Sequence, residues 1–228
     1  MTVLSKNDIE TIGESVLRDY TRRFPVSART PVDIEQFAGG YLKLKVEFRR
    51  LSDSGNLLGI LTYQGIHLEL TLNGGNRVIS VPEDTILLEE RLYSSGNIRR
   101  LRFTIAHECA HQIIAKIEQK QTGVSYRRDL TAANDRSEGQ ANTLAAALLM
   151  PRPELIRLMD NRYKPFRPSL FGHRFNSMDY LRIRELADRF QVSVTAMIIR
   201  LKELGLVICK PKYAYCDPQD IMPEGEMI

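Results

Sequence analysis

Residues able to do chemistry cluster in one run, Phe103-Thr104-Ile105-Ala106-His107-Glu108-Cys109-Ala110-His111. Two histidines stand four residues apart, with a glutamate directly after the first. On a helix, residues four apart share a face, about one turn from each other. Two imidazoles so placed can hold one metal ion, and the adjacent glutamate can reach a water beside that ion without being a ligand. Zinc bound there would bring that water's pKa toward neutrality, Glu108 would take the proton as the water attacks a carbonyl, and would then pass it to the leaving amine. Among only 4 histidines in the chain, two fall in this pattern.

A catalytic zinc keeps three protein ligands and an open position. The third ligand must come from elsewhere, and His67, His173 and several carboxylates are available. Glu138, in Ser137-Glu138-Gly139-Gln140-Ala141-Asn142, is the best placed. It follows His111 after enough chain for one helix to end, turn back and continue as a second helix alongside. Ala141, Ala145 and Ala146 on or near its face let two helix backbones approach closely. Asp135, three residues earlier, is the rival. Asn142, one turn after Glu138, can accept a hydrogen bond from a ligand histidine or orient Glu138. His67 reads as an exposed strand residue. His173, Tyr126 and nearby arginines are candidates for stabilising an oxyanion. Cys109 reads as a small core residue.

The elements that must carry these groups follow from periodicity and breakers. A helix is predicted from about Lys6 to Tyr20, capped by Ser5, with Ile9, Ile12, Val16, Leu17 and Tyr20 on one face. Thr30-Pro31-Val32-Asp33 reads as a helix start capped by Thr30, and Gly39-Gly40 as its stop. Leu42, Leu44, Val46 and Phe48 alternate as a strand. Leu57–Tyr63 and Ile66–Leu72 read as strands joined near Gln64-Gly65, with turns at 53–56 and 73–76 and a strand over Arg77–Val81. The expectation is a small, mainly antiparallel sheet of three or four strands. Helices are predicted at about Ile98–Glu118, Ala133–Leu149 and Glu154–Met159, a loop at 161–176, a Ser177-capped helix to Phe190, and a Ser193-capped helix to Leu204. The predicted organisation is a metal-binding domain over 1–160, a helical, helix-turn-helix-like part over 161–206 and a tail over 207–228.

Composition narrows the class. With 43% hydrophobic and 26% charged residues the chain is an ordinary globular one. The start, Met1 to Asp8, lacks a basic cap followed by an apolar run, and 3 cysteines (Cys109, Cys209, Cys216) are too few for a disulfide framework. A cytoplasmic protein is expected. The net charge of +4 is mainly a solvated surface, compatible with a weak nucleic-acid contact.

Arg102 to His111 resembles the zinc motif of the ImmA/IrrE metallopeptidases. So does Glu138-x-x-Ala141-Asn142-x-x-Ala145-Ala146-x-Leu148-Leu149-Met150-Pro151, and, more weakly, Pro31-Val32-Asp33-Ile34 and the stretch from Val192 to Leu206. The resemblance implies an α+β, zincin-like fold with the metal helix against a small sheet. It implies His107, His111 and Glu138 as zinc ligands, Glu108 as the catalytic residue, and a protein substrate, namely a helix-turn-helix repressor whose cleavage induces silenced genes. Some members serve mobile elements and others stress responses. Cys109-Ala110 stands where many members have Leu-Gly; both residues are small. A second expectation, from another class, is a regulator that binds DNA or a repressor through the 178–206 segment without proteolysis, using Arg200 and Lys202. A purely structural zinc is disfavoured by Glu108, since a structural site is closed by four ligands and needs no adjacent base.

Overall fold

The computed structural model describes residues 4–25, 31–122, 135–161 and 164–215, with side chains for all of these but 119–122, 135, 136, 161 and 164. The chain divides into two compact units, 1–151 and 152–228, which are mixed α and β.

In the first unit, α1 (Lys6–Arg23) opens on the expected cap: Asp8 N–H donates to Ser5 Oγ, and the Ser5 N–H to the Asp8 carboxylate. Its buried stripe is Ile9, Gly13, Leu17 and Tyr20. Gly13 permits close packing on α5 (Asp135–Leu149), because a Cβ there would stand 3.1 Å from the Ala147 Cβ. The second helix is shorter than expected. Asp33, whose carboxylate accepts from Gln36 N–H, caps α2 (Ile34–Gln36), and Thr30 lies outside the described residues. Gly39 and Gly40 do not stop the chain there. They sit inside a π-helical turn, Phe37–Tyr41, held by packing of Phe37 and Tyr41 against Tyr20.

The strands divide differently from expectation. β1 (Lys45–Arg49) runs parallel to β5 (Thr85–Glu89), and β2 (Gly59–Thr62) pairs with the other side of β5, antiparallel. β3 (Ile66–Leu72) and β4 (Gly75–Val81) form a separate hairpin. Its turn, Asn73-Gly74, has positive φ at both residues, the two-residue geometry that matches strand twist. The single, mainly antiparallel sheet is therefore corrected to a three-stranded mixed sheet plus a hairpin. The cause is β5. All five of its residues are buried, so it shows no alternation, and its central position takes β2 away from β3. Ile60 and Leu87 of the sheet share a buried cluster with Leu70, Leu72 and Val81 of the hairpin. β1 also departs from the alternating pattern: Phe48 is exposed and meets Tyr93 with tilted rings, 5.5 Å between centroids. Glu89 ends β5 buried, its carboxylate accepting from the N–H groups of Leu51 and Ser52. The short α3 (Glu90–Ser94) follows.

α4 (Ile98–Thr122) packs on β2, β5 and α5. Leu101, Ile105, Ala106, Cys109, Ala110 and Ile113 are all buried. Two polar ties fix it further: Arg102 donates to the Val32 carbonyl at 2.9 Å, and Gln112 Nε2 donates to Asp84 Oδ1 at 2.9 Å.

In the second unit, α6 (Arg152–Met159) precedes the two-residue strands β6 (Asp160–Asn161) and β7 (Lys164–Pro165). β8 (Ser169–Phe171) pairs with β9 (Arg174–Phe175) and, in parallel, with β10 (Ile208–Lys210). The region expected to be a loop at 161–176 thus holds short strands, too short to register as a period-2 pattern. α7 (Ser177–Phe190) is capped by Asn176, whose Oδ1 accepts from Asp179 N–H at 2.7 Å; Ser177 is the first helical residue instead of the cap. α8 (Val194–Glu203) has the expected Ser193 cap. A 3-10 turn, Lys212–Ala214, follows β10, and Cys216 lies outside the described residues. Among the described residues no helix is long and apolar enough to cross a membrane.

Candidate metal centre

α4 and α5 bring three donors together. His107 Nε2 lies 3.0 Å from Glu138 Oε2 and 3.0 Å from His111 Nε2, and His111 Nε2 lies 3.4 Å from Glu138 Oε1. The rings of His107 and His111 meet nearly edge to face, 4.6 Å between centroids. Two ligands at zinc's usual bond lengths and tetrahedral angle stand roughly 3.4 Å apart. Two imidazole nitrogens and a carboxylate are also the donor types that zinc takes in open sites. The three residues therefore fit a single metal ion. The helical spacing sets the pair of histidines. The buried alanines set the third donor: Ala141 and Ala145 are fully buried, so α5 can lie close enough for Glu138 to reach across.

His107 Nδ1 lies 3.0 Å from Asn142 Oδ1. An amide oxygen only accepts, so Nδ1 is the protonated nitrogen in this pairing, and Nε2 keeps the lone pair a metal needs. His111 is almost wholly buried and His107 partly so.

Glu108 is buried, with 3% of its surface exposed. Strand β2 crosses against it. A Cβ added to Gly59 would come within 3.0 Å of Glu108 Oε1 and 2.9 Å of Thr104 Cγ2. Gly59 went unremarked among the sequence motifs; the available signal was a glycine at the start of a strand, which marks close approach of another group. Beyond β2 no further strand is paired among the described residues, so β2 is a sheet edge. Cys109 sits between the histidines wholly buried, and burial, with the Glu108 charge second, drives its thiol pKa far up. It is a core residue, as expected.

His67 is exposed on β3. His173 is exposed in the β8–β9 turn, within the second unit. Tyr126 is outside the described residues, as is the Asp135 side chain. In the helix pair α7–α8, Arg200 is fully buried. It therefore does not serve as a groove-reading cation, which corrects the expectation that paired it with Lys202. It faces inward because Met197, Arg200 and Leu201 share the packed side of α8.

Residues 94–202 match the IrrE N-terminal-like domain, a peptidase family. The match spans 109 of the 228 residues and agrees with the ImmA/IrrE resemblance. The matched residues include His107, Glu108, His111, Glu138 and Asn142 together with α7 and most of α8, whereas the stretch from Pro31 and the sheet lie before them. No curated protein matches the chain. Among solved structures, a Mycobacterium tuberculosis transcriptional regulator is similar at 14% identity with a TM-score of 0.46, over 86% of this chain and 57% of that one. The chain spans little more than half of that protein, and at this score the likeness carries no argument.

Proposed function

We propose that the protein is a zinc-dependent endopeptidase acting on a protein substrate, a helix-turn-helix repressor whose cleavage releases silenced genes, within a zincin-like arrangement of α4 on the mixed sheet. The observation that carries this is the convergence of His107 Nε2, His111 Nε2 and the Glu138 carboxylate, with buried Glu108 on the same helix against an edge strand. The repressor as substrate rests on the ImmA/IrrE resemblance.

His107, His111 and Glu138 would hold the zinc, and Asn142 would keep His107 in the tautomer that binds it. Zinc, when bound, supplies Lewis acidity and brings a water's pKa toward neutrality. The rest falls to the chain's own groups. The β2 edge offers backbone N–H and C=O groups that can hold an extended peptide as an added strand. Glu108 accepts the proton from the attacking water and delivers it to the leaving nitrogen. Its burial keeps the carboxylate out of bulk solvent, and Gly59 leaves it room beside the strand.

The reading without proteolysis has weaker support. Arg200 is buried, and the outward residues of α8 include a single cation, Lys202, next to Glu203.

The test is co-expression with a candidate helix-turn-helix repressor, following repressor mass by mass spectrometry, with Glu108→Gln as the control. A cut at one bond, absent in the control, is the expected result. A cut that persists in Glu108→Gln would remove Glu108 from the chemistry.

A further inference from the structure

α7 carries a second concentration of charged side chains, apart in sequence from the candidate metal donors. Arg182, Glu185, Leu186 and Arg189 are three, four and seven residues apart, so they share one side of the helix. With Leu158 and Met159 of α6 and Phe166 they line a groove of about 460 Å³, within the range of sites that take one or two side chains or a small molecule. Its lining combines apolar Leu158, Met159, Phe166 and Leu186, of which Met159 is buried, with exposed Arg182, Glu185 and Arg189. The Arg182 guanidinium lies over the Phe166 ring, 5.3 Å from its centroid.

Arg182 and Arg189 are set apart by lining the groove, since Arg152, Arg174 and Arg184 of the same unit are likewise outside ion pairs among the described residues. In the same unit Arg157 pairs with Glu154 at 2.6 Å and Arg167 with Asp160 at 2.8 Å. Among the described residues neither Arg182 nor Arg189 makes an ion pair, although Glu185 is three residues from one and four from the other. Two unpaired guanidinium forks flanking an apolar hollow are complementary to carboxylates flanking an apolar side chain.

We propose that this groove docks an acidic peptide segment of a partner protein, seating an apolar side chain against Leu158, Met159 and Phe166 while its carboxylates meet Arg182 and Arg189. A peptide is favoured over nucleic acid by the chemistry of the hollow. Four of its seven lining residues are apolar, and Glu185 between the two arginines repels a uniformly anionic backbone, whereas a peptide can turn a neutral or basic residue toward it. The docking is independent of peptide hydrolysis.

The test is fluorescence anisotropy of the full chain with a fluorescein-labelled Glu-Asp-Leu-Glu-Phe-Asp-Glu peptide. It is run beside the same peptide with lysine at every acidic position and a labelled single-stranded oligodeoxynucleotide of equal charge. Saturable binding of the acidic peptide is expected, with none of the lysine peptide. The charge reversal Arg182→Glu with Arg189→Glu is expected to weaken it about tenfold or more, since each exposed ion pair contributes up to a few-fold and reversal adds repulsion. Leu186→Asp should weaken it as well. Circular dichroism should not change in the double reversal, and the thermal midpoint should fall only slightly, because both arginines are exposed and outside ion pairs and only the Arg182 contact over Phe166 is lost. Equal affinity in wild type and double reversal would overturn the proposal. So would absent peptide binding, or an oligonucleotide that binds more tightly than the peptide and is lost in the same variant.

Discussion

The α4–α5 pair of the first unit and the α7–α8 pair of the second are both short-range helix packings, yet they hold their polar groups in opposite ways. In the first, ionisable side chains are drawn inward. His111 and Glu108 are buried at the contact, and three donor groups stand within 4.8 Å of one another. In the second, Arg182, Arg184, Arg189 and Lys202 spread over the outside, and the inward basic residue, Arg200, is taken into packing. Burying charge is unfavourable unless partners are supplied. A cluster of donors at a helix contact is therefore a specific arrangement with a purpose, whereas dispersed surface arginines are compatible with many.

That difference can be broken or sharpened by substitution. The largest effect is expected from Glu108→Gln, which should lower peptide hydrolysis by roughly 10²–10⁴-fold and leave bound metal unchanged; steady-state hydrolysis and metal content measured on one preparation check both halves. Asn142→Ala comes next. Loss of the His107 Nδ1 partner should weaken metal affinity by roughly 10–100-fold, read by competition with a chromophoric chelator, and unchanged affinity would mean the 3.0 Å contact does not orient the ring. Gly59→Ala is expected to reduce hydrolysis by about tenfold, because displacement of a catalytic group by a fraction of an ångström is enough to lose that much. Its Cβ must displace Glu108 or Thr104. Metal content should stay constant in this variant, and normal activity would show that β2 yields instead. The smallest effect is expected from the Arg182→Glu, Arg189→Glu pair, which should leave metal content and hydrolysis of a short peptide at wild-type values; a loss of metal there would contradict the separation of the two regions.

The candidate metal triad was legible because chemistry of this kind leaves a local mark. His107 and His111 are four apart on a helix, and Glu138 sits on a helix whose face is made of alanines, so the residues point to a candidate metal triad and to the close packing. The caps at Ser5 and Ser193 were legible for the same reason. What escaped was governed by contacts distant in sequence. β5 is buried on both faces and carries no alternation. β2 looked like the partner of β3 until β5 took the place beside it. Asp33 and Asn176 each lie three residues from another plausible start or beside one, and cap geometry alone chose between them. Gly59 has meaning only once β2 lies against Glu108. Arg200 suits a groove-reading helix by its charge, but its spacing from Met197 and Leu201 puts it on the packed side of α8.

The most direct measurement is zinc per chain, by inductively coupled plasma mass spectrometry, in wild type, Glu108→Gln and Glu138→Gln purified side by side. About one zinc is expected in the first two, since Glu108 is no ligand in an open three-ligand site, and a near-complete loss in the third. Equal zinc in Glu138→Gln and wild type, or its loss in Glu108→Gln alone, would contradict the assignment of His107, His111 and Glu138 as the metal centre.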